Sequence, residues 1–167
     1  MGAGTTGVGP IVRLLSVVSV RGGMSSVRLP LAARWLRYGL VAVVAAVILV
    51  ASVLRPDPMG APTMGPLGVV GADKWTHALA YAGLAAALAY ASVTPGHDSS
   101  RVGLAVALAV GFGAAIELLQ WPIPYRTASA VDVLADAVGA CMLALAWRSL
   151  GRFVRFVPVA RWAESNG

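Results

Sequence analysis

Ionisable residues recur at helical spacing in this sequence, and their types are those that bind polar ligands or transfer protons. His77 follows Asp73 by four residues and Tyr81 follows His77 by four, so the three side chains share one helix face. Glu117 and Gln120 are three residues apart, and they also share a face. A histidine among carboxylates is a typical set for general acid–base chemistry.

A third stretch combines a helix start with two further acids. Ser129 lies three residues before Asp132, in an arrangement close to a capping box, and it is expected to cap a helix. Asp136 follows Asp132 by four residues, and Gly139 continues that face about one turn further, where a neighbouring backbone can approach. We predict that the catalytic candidates are Glu117, His77, Asp136 and Asp132.

A second set of residues is predicted to hold the ligand. Arg126 follows a loop stiffened by Pro122 and Pro124, and its guanidinium can grip a phosphate or carboxylate with two parallel hydrogen bonds. An internal ion pair with Asp132 or Glu117 explains Arg126 equally well. The other ligand-binding candidates are Gln120, Asp73, Tyr81 and Lys74, although a position among lipid headgroups is the simpler interpretation of Lys74.

The charges of these residues do not balance. Four carboxylates stand against Lys74 and Arg126, which leaves a net charge of −2 when His77 is neutral. A half-dry pocket does not hold two uncompensated negative charges. Either a carboxylate keeps its proton, or His77 is protonated, or a divalent cation binds. The sequence leaves these three alternatives open, so it assigns no metal ligand and no cofactor.

Four apolar stretches must position these residues. Of 167 residues, 58% are hydrophobic and only 12% are charged, whereas a water-soluble domain carries roughly 25% charged residues. This composition excludes a secreted globular enzyme and predicts a membrane protein. The stretches 38–54, 78–93, 102–121 and 130–147 each approach the length of about 20 residues that spans a bilayer. We therefore predict an all-α fold, a polytopic membrane bundle of four transmembrane helices.

The basic residues predict how this bundle is oriented. With four spans, ten of the 13 Lys and Arg residues fall on one side of the membrane and three on the other. The positive-inside rule places both termini in the cytoplasm and the polar residues at the outer face. We divide the chain into a basic N-terminal extension (1–34), disordered or interfacial, a four-helix membrane domain (35–148) and a basic interfacial tail (149–167). The net charge of +6 indicates contact with anionic lipid and no nucleic acid.

The polar motifs, in this order, resemble the VanZ-like family of bacterial membrane proteins, which is named for a protein linked to low-level teicoplanin resistance. The resemblance covers about residues 40–147. It rests on Asp73-Lys74-x-x-His77-x-x-x-Tyr81, Glu117-x-x-Gln120 and Arg126-Thr127-Ala128-Ser129-x-x-Asp132-x-x-x-Asp136-x-x-Gly139. The family often has Asn at the last acidic position, so the carboxylate of Asp136 adds negative charge there.

The resemblance implies a role in the cell envelope. Together with the polar residues at the outer face, the resemblance predicts a multi-pass protein of the bacterial plasma membrane. This protein would bind an outer-leaflet lipid or a lipid-linked envelope glycan. Chemical modification of that ligand, and hence enzymatic activity, is left open, and a role in glycopeptide resistance is implied by the resemblance alone. The alternatives are a small transporter or transporter subunit, or a structural partner of envelope enzymes. The predicted partners are membrane lipids and a lipid-linked precursor, and the oligomeric state is open.

Overall fold

The computed structural model describes residues 27–54, 63–94 and 101–158. Its elements are β1 (Val27–Leu31), α1 (Arg34–Val53), α2 (Ala72–Ser92), α3 (Val102–Gln120), α4 (Ala130–Leu150) and β2 (Val154–Pro158). The predicted all-α class is confirmed in its coarse form, because four helices make up most of the described residues. The predictions for residues 1–26 of the N-terminal extension and for 159–167 of the tail lie outside the described residues.

A short parallel sheet joins the two ends of the described chain, and the sequence analysis predicted no strand. β1 and β2 pair in register from Val27 with Val154 to Leu31 with Pro158. Residues 27–31 of the predicted extension and 154–158 of the predicted tail are therefore paired with each other. The sheet is held on the helices by Phe156, whose ring lies 5.6 Å from that of Tyr90 and 6.0 Å from that of Trp147.

Three of the four helices, α1, α3 and α4, are long and apolar enough to cross a membrane. They have 20, 19 and 21 residues, which at 1.5 Å per residue gives about 30 Å, the thickness of the hydrocarbon layer. The 21-residue helix α2 is not among them. It is rich in alanine, and its first two turns carry Asp73, Lys74, Thr76 and His77.

The four helices alternate in direction. Gln120 at the end of α3 contacts the carbonyl of Ser52 at the end of α1, and Lys74 at the start of α2 contacts Asp132 at the start of α4. At the opposite end, Arg37 near the start of α1 contacts the last carbonyls of α2. We call the end where α1 and α3 end and α2 and α4 begin the site end, and the opposite end the sheet end.

Small residues fill the interior of the bundle and large apolar residues cover its outside. Most of the buried core is alanine: Ala85, Ala109 and Ala140 pack with Tyr81 and Leu84 in one cluster, and Ala89 and Ala105 pack with Val102 in a second. The mostly exposed side chains include Val43, Val47, Leu104, Leu108, Leu134, Met142 and Leu145. This distribution is the reverse of a water-soluble bundle. It suits lipid, where helices associate through close packing of small residues and not through the hydrophobic effect.

Helices α2 and α4 approach each other closely at Gly139. A Cβ on Gly139 would collide with the backbone carbonyl of Ala78. The prediction that a neighbouring backbone approaches Gly139 is confirmed. This contact brings the first turns of α2 and α4, with their polar residues, together at the site end.

Candidate functional site

The imidazole ring of His77 lies between two carboxylates of α4. Its Nδ1 is 2.9 Å from Oδ1 of Asp136, and its Nε2 is 3.9 Å from Oδ2 of Asp132. The helical spacing of four places both acids on the face of α4 that meets α2. Because Nδ1 faces a wholly buried carboxylate, we assign it the N–H that donates to Asp136. Nε2 is then the unprotonated nitrogen, which can accept a proton or bind a ligand.

Glu117 joins this pair from α3. Its side chain is only 7% exposed, and its Oε2 accepts a hydrogen bond from the backbone N–H of Ser129 at 2.6 Å. Ligand atoms of Glu117, His77 and Asp132 all lie within 4.8 Å of one another. We call His77, Glu117, Asp132 and Asp136 the acidic cluster. Its members come from three helices that converge at the site end.

The start of α4 explains how Asp132 is released for the cluster. Ser129 caps the helix by accepting from the N–H of Asp132, as predicted. In a capping box the acid at the position of Asp132 would accept from the N–H of Ser129. Glu117 takes that hydrogen bond instead, so the predicted pair is half correct. The carboxylate of Asp132 consequently turns to Lys74 and His77.

Lys74 lies at the rim of the acidic cluster. Its Nζ contacts Oδ1 of Asp132 and Oδ2 of Asp73, the latter at 2.6 Å. Lys74 is partly buried, whereas the Asp73 side chain is 64% exposed. Asp73 therefore lies outside the buried cluster and touches it only through Lys74.

The deepest member of the acidic cluster is Asp136, which is completely buried. Its Oδ2 has no hydrogen-bond partner among the described residues. That oxygen lies against Gly113 of α3, where a Cβ would collide with it. Tyr81, one turn after His77, stacks its ring at 6.3 Å from the imidazole and belongs to the hydrophobic core beneath the acidic cluster. Gly113 is thus needed for space, because a side chain there would collide with the carboxylate of Asp136.

Arg126 and Gln120 donate hydrogen bonds to the end of α1 and not to the acidic cluster. Arg126 Nη2 donates to the carbonyls of Ala51, at 3.0 Å, and of Leu54. Gln120 Nε2 donates to the carbonyl of Ser52 at 2.8 Å, and Tyr125 donates to that of Val53 at 3.1 Å. The last carbonyls of a helix lack partners within it and carry partial negative charge, so a cation and donors bind them well.

This geometry differs from both predicted interpretations of Arg126. The guanidinium forms no ion pair with Asp132 or Glu117 in the described residues, because it points across the bundle to α1. The loop that places it there follows Gln120, the last residue of α3, and contains Tyr125. The sequence offers one signal for this contact, a stiff loop with donors beside the end of a neighbouring span, but it does not say which span.

We expect Arg126→Met to lower the free energy of unfolding in detergent by about 1–3 kcal/mol, since charge-assisted hydrogen bonds to the last carbonyls of α1 are lost. The measurement is denaturant-induced unfolding followed by circular dichroism. Arg152→Met, at an exposed position of the sheet end, is the control and should change little. A variant of Arg126 that unfolds like wild type but no longer binds lipid phosphate would contradict the capping role.

Comparisons of the chain with protein-family models, with curated proteins and with solved structures found no match. No family is established by them. The resemblance to VanZ-like proteins stays a prediction.

Proposed function

We propose that this chain is a four-span protein of the bacterial plasma membrane whose acidic cluster faces outward and binds the polar headgroup of an outer-leaflet lipid or lipid-linked envelope glycan. One observation carries the proposal. A half-buried His77, paired with the wholly buried Asp136 and with Glu117 and Asp132 beside it, lies at one end of a bundle whose sides are apolar.

We propose α2 as the fourth membrane span, beside α1, α3 and α4. Its 21 residues match the other helices in length, and it packs between them through Tyr81, Leu84 and Ala85. Its polar residues are confined to the first two turns, where a headgroup layer would solvate them. Both termini then lie on the side where ten of the 13 basic residues fall, which supports the cytoplasmic assignment.

An amphiphile fits this arrangement because its two parts meet two different surfaces. Its acyl or prenyl chains would lie along the exposed valine and leucine side chains of the helices. Its headgroup would reach the acidic cluster at the site end of the bundle, where Lys74 supplies a cation for a phosphate. The predicted resemblance to VanZ-like proteins supports the same proposal, because it implies an envelope role and a contribution to glycopeptide resistance.

His77 also supplies the chemistry for proton transfer. With Nδ1–H donating to Asp136, Nε2 is oriented as a base toward the space shared with Glu117 and Asp132. The core beyond Tyr81 consists of Leu84, Ala85, Ala109 and Ala140 and contains no charged residue. A transport route would place polar residues near the midplane, so the one-sided cluster favours headgroup binding over transport.

The test compares a strain lacking the protein with the same strain carrying His77→Gln or Glu117→Gln at equal membrane levels. We expect both variants to fail to restore the lipid profile and the teicoplanin sensitivity of the wild-type strain, because each removes a group that touches the headgroup. Loss of a proton-transfer group lowers a rate by about 10²- to 10⁴-fold. Lipid-resolved mass spectrometry therefore distinguishes modification, seen as a mass change, from binding alone, seen as lipid that co-purifies unchanged.

The chain provides matched controls for these variants. His97 is the other histidine and Glu164 the other glutamate of the chain, and His97→Gln and Glu164→Gln should restore the strain fully. If the cluster variants restore it as well as these controls do, the proposed function is wrong.

A further inference from the structure

The acidic cluster contains the donor set of a metal centre. One nitrogen of His77 and one carboxylate oxygen each of Glu117 and Asp132 lie within 4.8 Å of one another. Ligand atoms that share a zinc ion, each about 2.0–2.2 Å from it, lie roughly 3.5 Å apart. The observed 3.9 Å between Nε2 of His77 and Oδ2 of Asp132 is close to that separation.

The two ring nitrogens of His77 argue for a cation at this point. A neutral imidazole carries one N–H, and the wholly buried Asp136 accepts it at Nδ1. Oδ2 of Asp132 then lies 3.9 Å from the unprotonated Nε2, and a carboxylate oxygen of Glu117 lies within 4.8 Å of a nitrogen of the ring. An unprotonated nitrogen and carboxylate oxygens this close repel one another unless a proton or a metal ion lies between them.

Asp136 supplies an observation independent of these three ligands. Its carboxylate is directed at the ring of His77, it is completely buried, and its Oδ2 has no hydrogen-bond partner among the described residues. Carboxylates that orient a metal-binding histidine through its other nitrogen are a general feature of zinc sites. Oδ2 lies against Gly113, so a cation bound at Nε2 would not contact it, but would offset the negative charge of the buried carboxylate through the ring of His77.

The charges around the acidic cluster also favour a bound cation. Arg126 is directed to the end of α1, so Lys74 is the cation that contacts the acidic cluster in the described part of the chain. Lys74 is shared with Asp73 and touches Oδ1 of Asp132. Oδ2 of Asp132 remains directed at His77, so Lys74 and a metal ion can bind the same carboxylate at once.

We propose that Nε2 of His77, Glu117 and Asp132 bind a divalent cation of the zinc type, and that Asp136 holds the ring of His77 in the required orientation. Imidazole with two carboxylates suits Zn²⁺, whereas Mg²⁺ and Ca²⁺ favour oxygen ligands alone. Three protein ligands leave a fourth position open for water or for a headgroup oxygen. The inference deepens the proposed function, on which it rests for the identity of that headgroup.

The test is zinc binding by the full chain in detergent, with any affinity tag removed. The protein is stripped with a chelator, dialysed against defined free Zn²⁺ and its metal content is measured by mass spectrometry. We expect one zinc ion per chain. His77→Gln, Glu117→Gln and Asp132→Asn should weaken binding more than 100-fold, and Asp136→Asn by about 10- to 100-fold, the usual effect of a residue that orients a ligand.

Variants that keep all three metal ligands serve as comparisons for the cluster variants. His97→Gln and Glu164→Gln should bind zinc like wild type. Gly113→Ala pushes on Asp136 without removing a ligand, and should weaken zinc binding, whereas Gly111→Ala, whose Cβ would meet nothing within 4 Å, should not. Co²⁺ in place of Zn²⁺ should give the visible absorption of a four-coordinate site in wild type and lose it in His77→Gln.

The outcomes are distinct for the two proposals. Wild-type protein that binds no more zinc than His77→Gln would overturn the metal site, as would controls that lose zinc to the same extent as the cluster variants. One zinc ion per chain, together with a lipid profile unaffected by the same variants, would uphold the metal site and refute the proposed function. An altered profile without zinc binding would do the reverse.

Discussion

Gly139→Ala is expected to disrupt the bundle more than any other single-methyl substitution in its helices. The new Cβ would collide with the backbone of Ala78, and backbone atoms cannot move aside as a flexible side chain can. Overpacking of this kind costs about 1–3 kcal/mol or more. We expect the denaturant midpoint of the protein in detergent to fall accordingly and zinc binding to weaken, because α2 and α4 carry the acidic cluster between them.

The matched control is Gly111→Ala in α3, where a Cβ would meet nothing within 4 Å. Alanine is favoured over glycine inside a helix by about 1 kcal/mol, so this variant should be as stable as wild type or more stable. Equal stability of Gly139→Ala and Gly111→Ala would show that the α2–α4 approach is looser than described.

The second large effect is expected at the sheet end, for Arg37→Met. Arg37 is only 5% exposed. Its Nη1 donates to the carbonyls of Tyr90, Ala91 and Val93 at 3.1, 2.9 and 2.9 Å. These carbonyls lie at the C-terminal end of α2, where the regular hydrogen bonds of the helix end; that of Tyr90 also accepts from the backbone N–H of Val93. Arg37→Met removes the charged donor of these carbonyls and should lower the free energy of unfolding by about 2–4 kcal/mol.

Arg34→Met provides the comparison, since Arg34 lies one turn earlier on α1 and is exposed. It removes the same charge from the same helix, and so it should change stability little. The measurement is again unfolding in detergent, with hydrogen exchange of residues 90–94 as a local probe. If both variants lose stability equally, the effect comes from net charge and not from the contact of Arg37 with α2.

Much of the candidate site follows from helical spacing. His77, Glu117, Asp132 and Asp136 lie near the ends of predicted spans, and a charge inside a span must turn toward the other helices. The predicted spans differ from the described helices by a few residues at most, except that α1 begins at Arg34 and α2 at Ala72. Polar first turns obscure these starts, because hydropathy marks only the apolar part of a helix.

Other contacts could not be predicted because they depend on which helix lies beside which. Arg126 was expected at a ligand or at an acid of the cluster, and Arg37 only as a flanking basic residue. Each caps the end of a neighbouring helix instead, Arg126 on α1 and Arg37 on α2. A side chain of this length reaches several partners, and the choice among them is made by packing.

The sequence by itself determined the helical fold, the helices that are long and apolar enough to cross a membrane, and the set of polar residues that share one end of the bundle. These depend on composition and on a period of 3.6 residues, which are local properties of the chain. Only the tertiary structure decided that Glu117 takes the N–H of Ser129, that Asp132 turns to Lys74 and His77, and that Gly113 makes room for Asp136. Those choices depend on distances between helices, and no spacing along a single helix contains them.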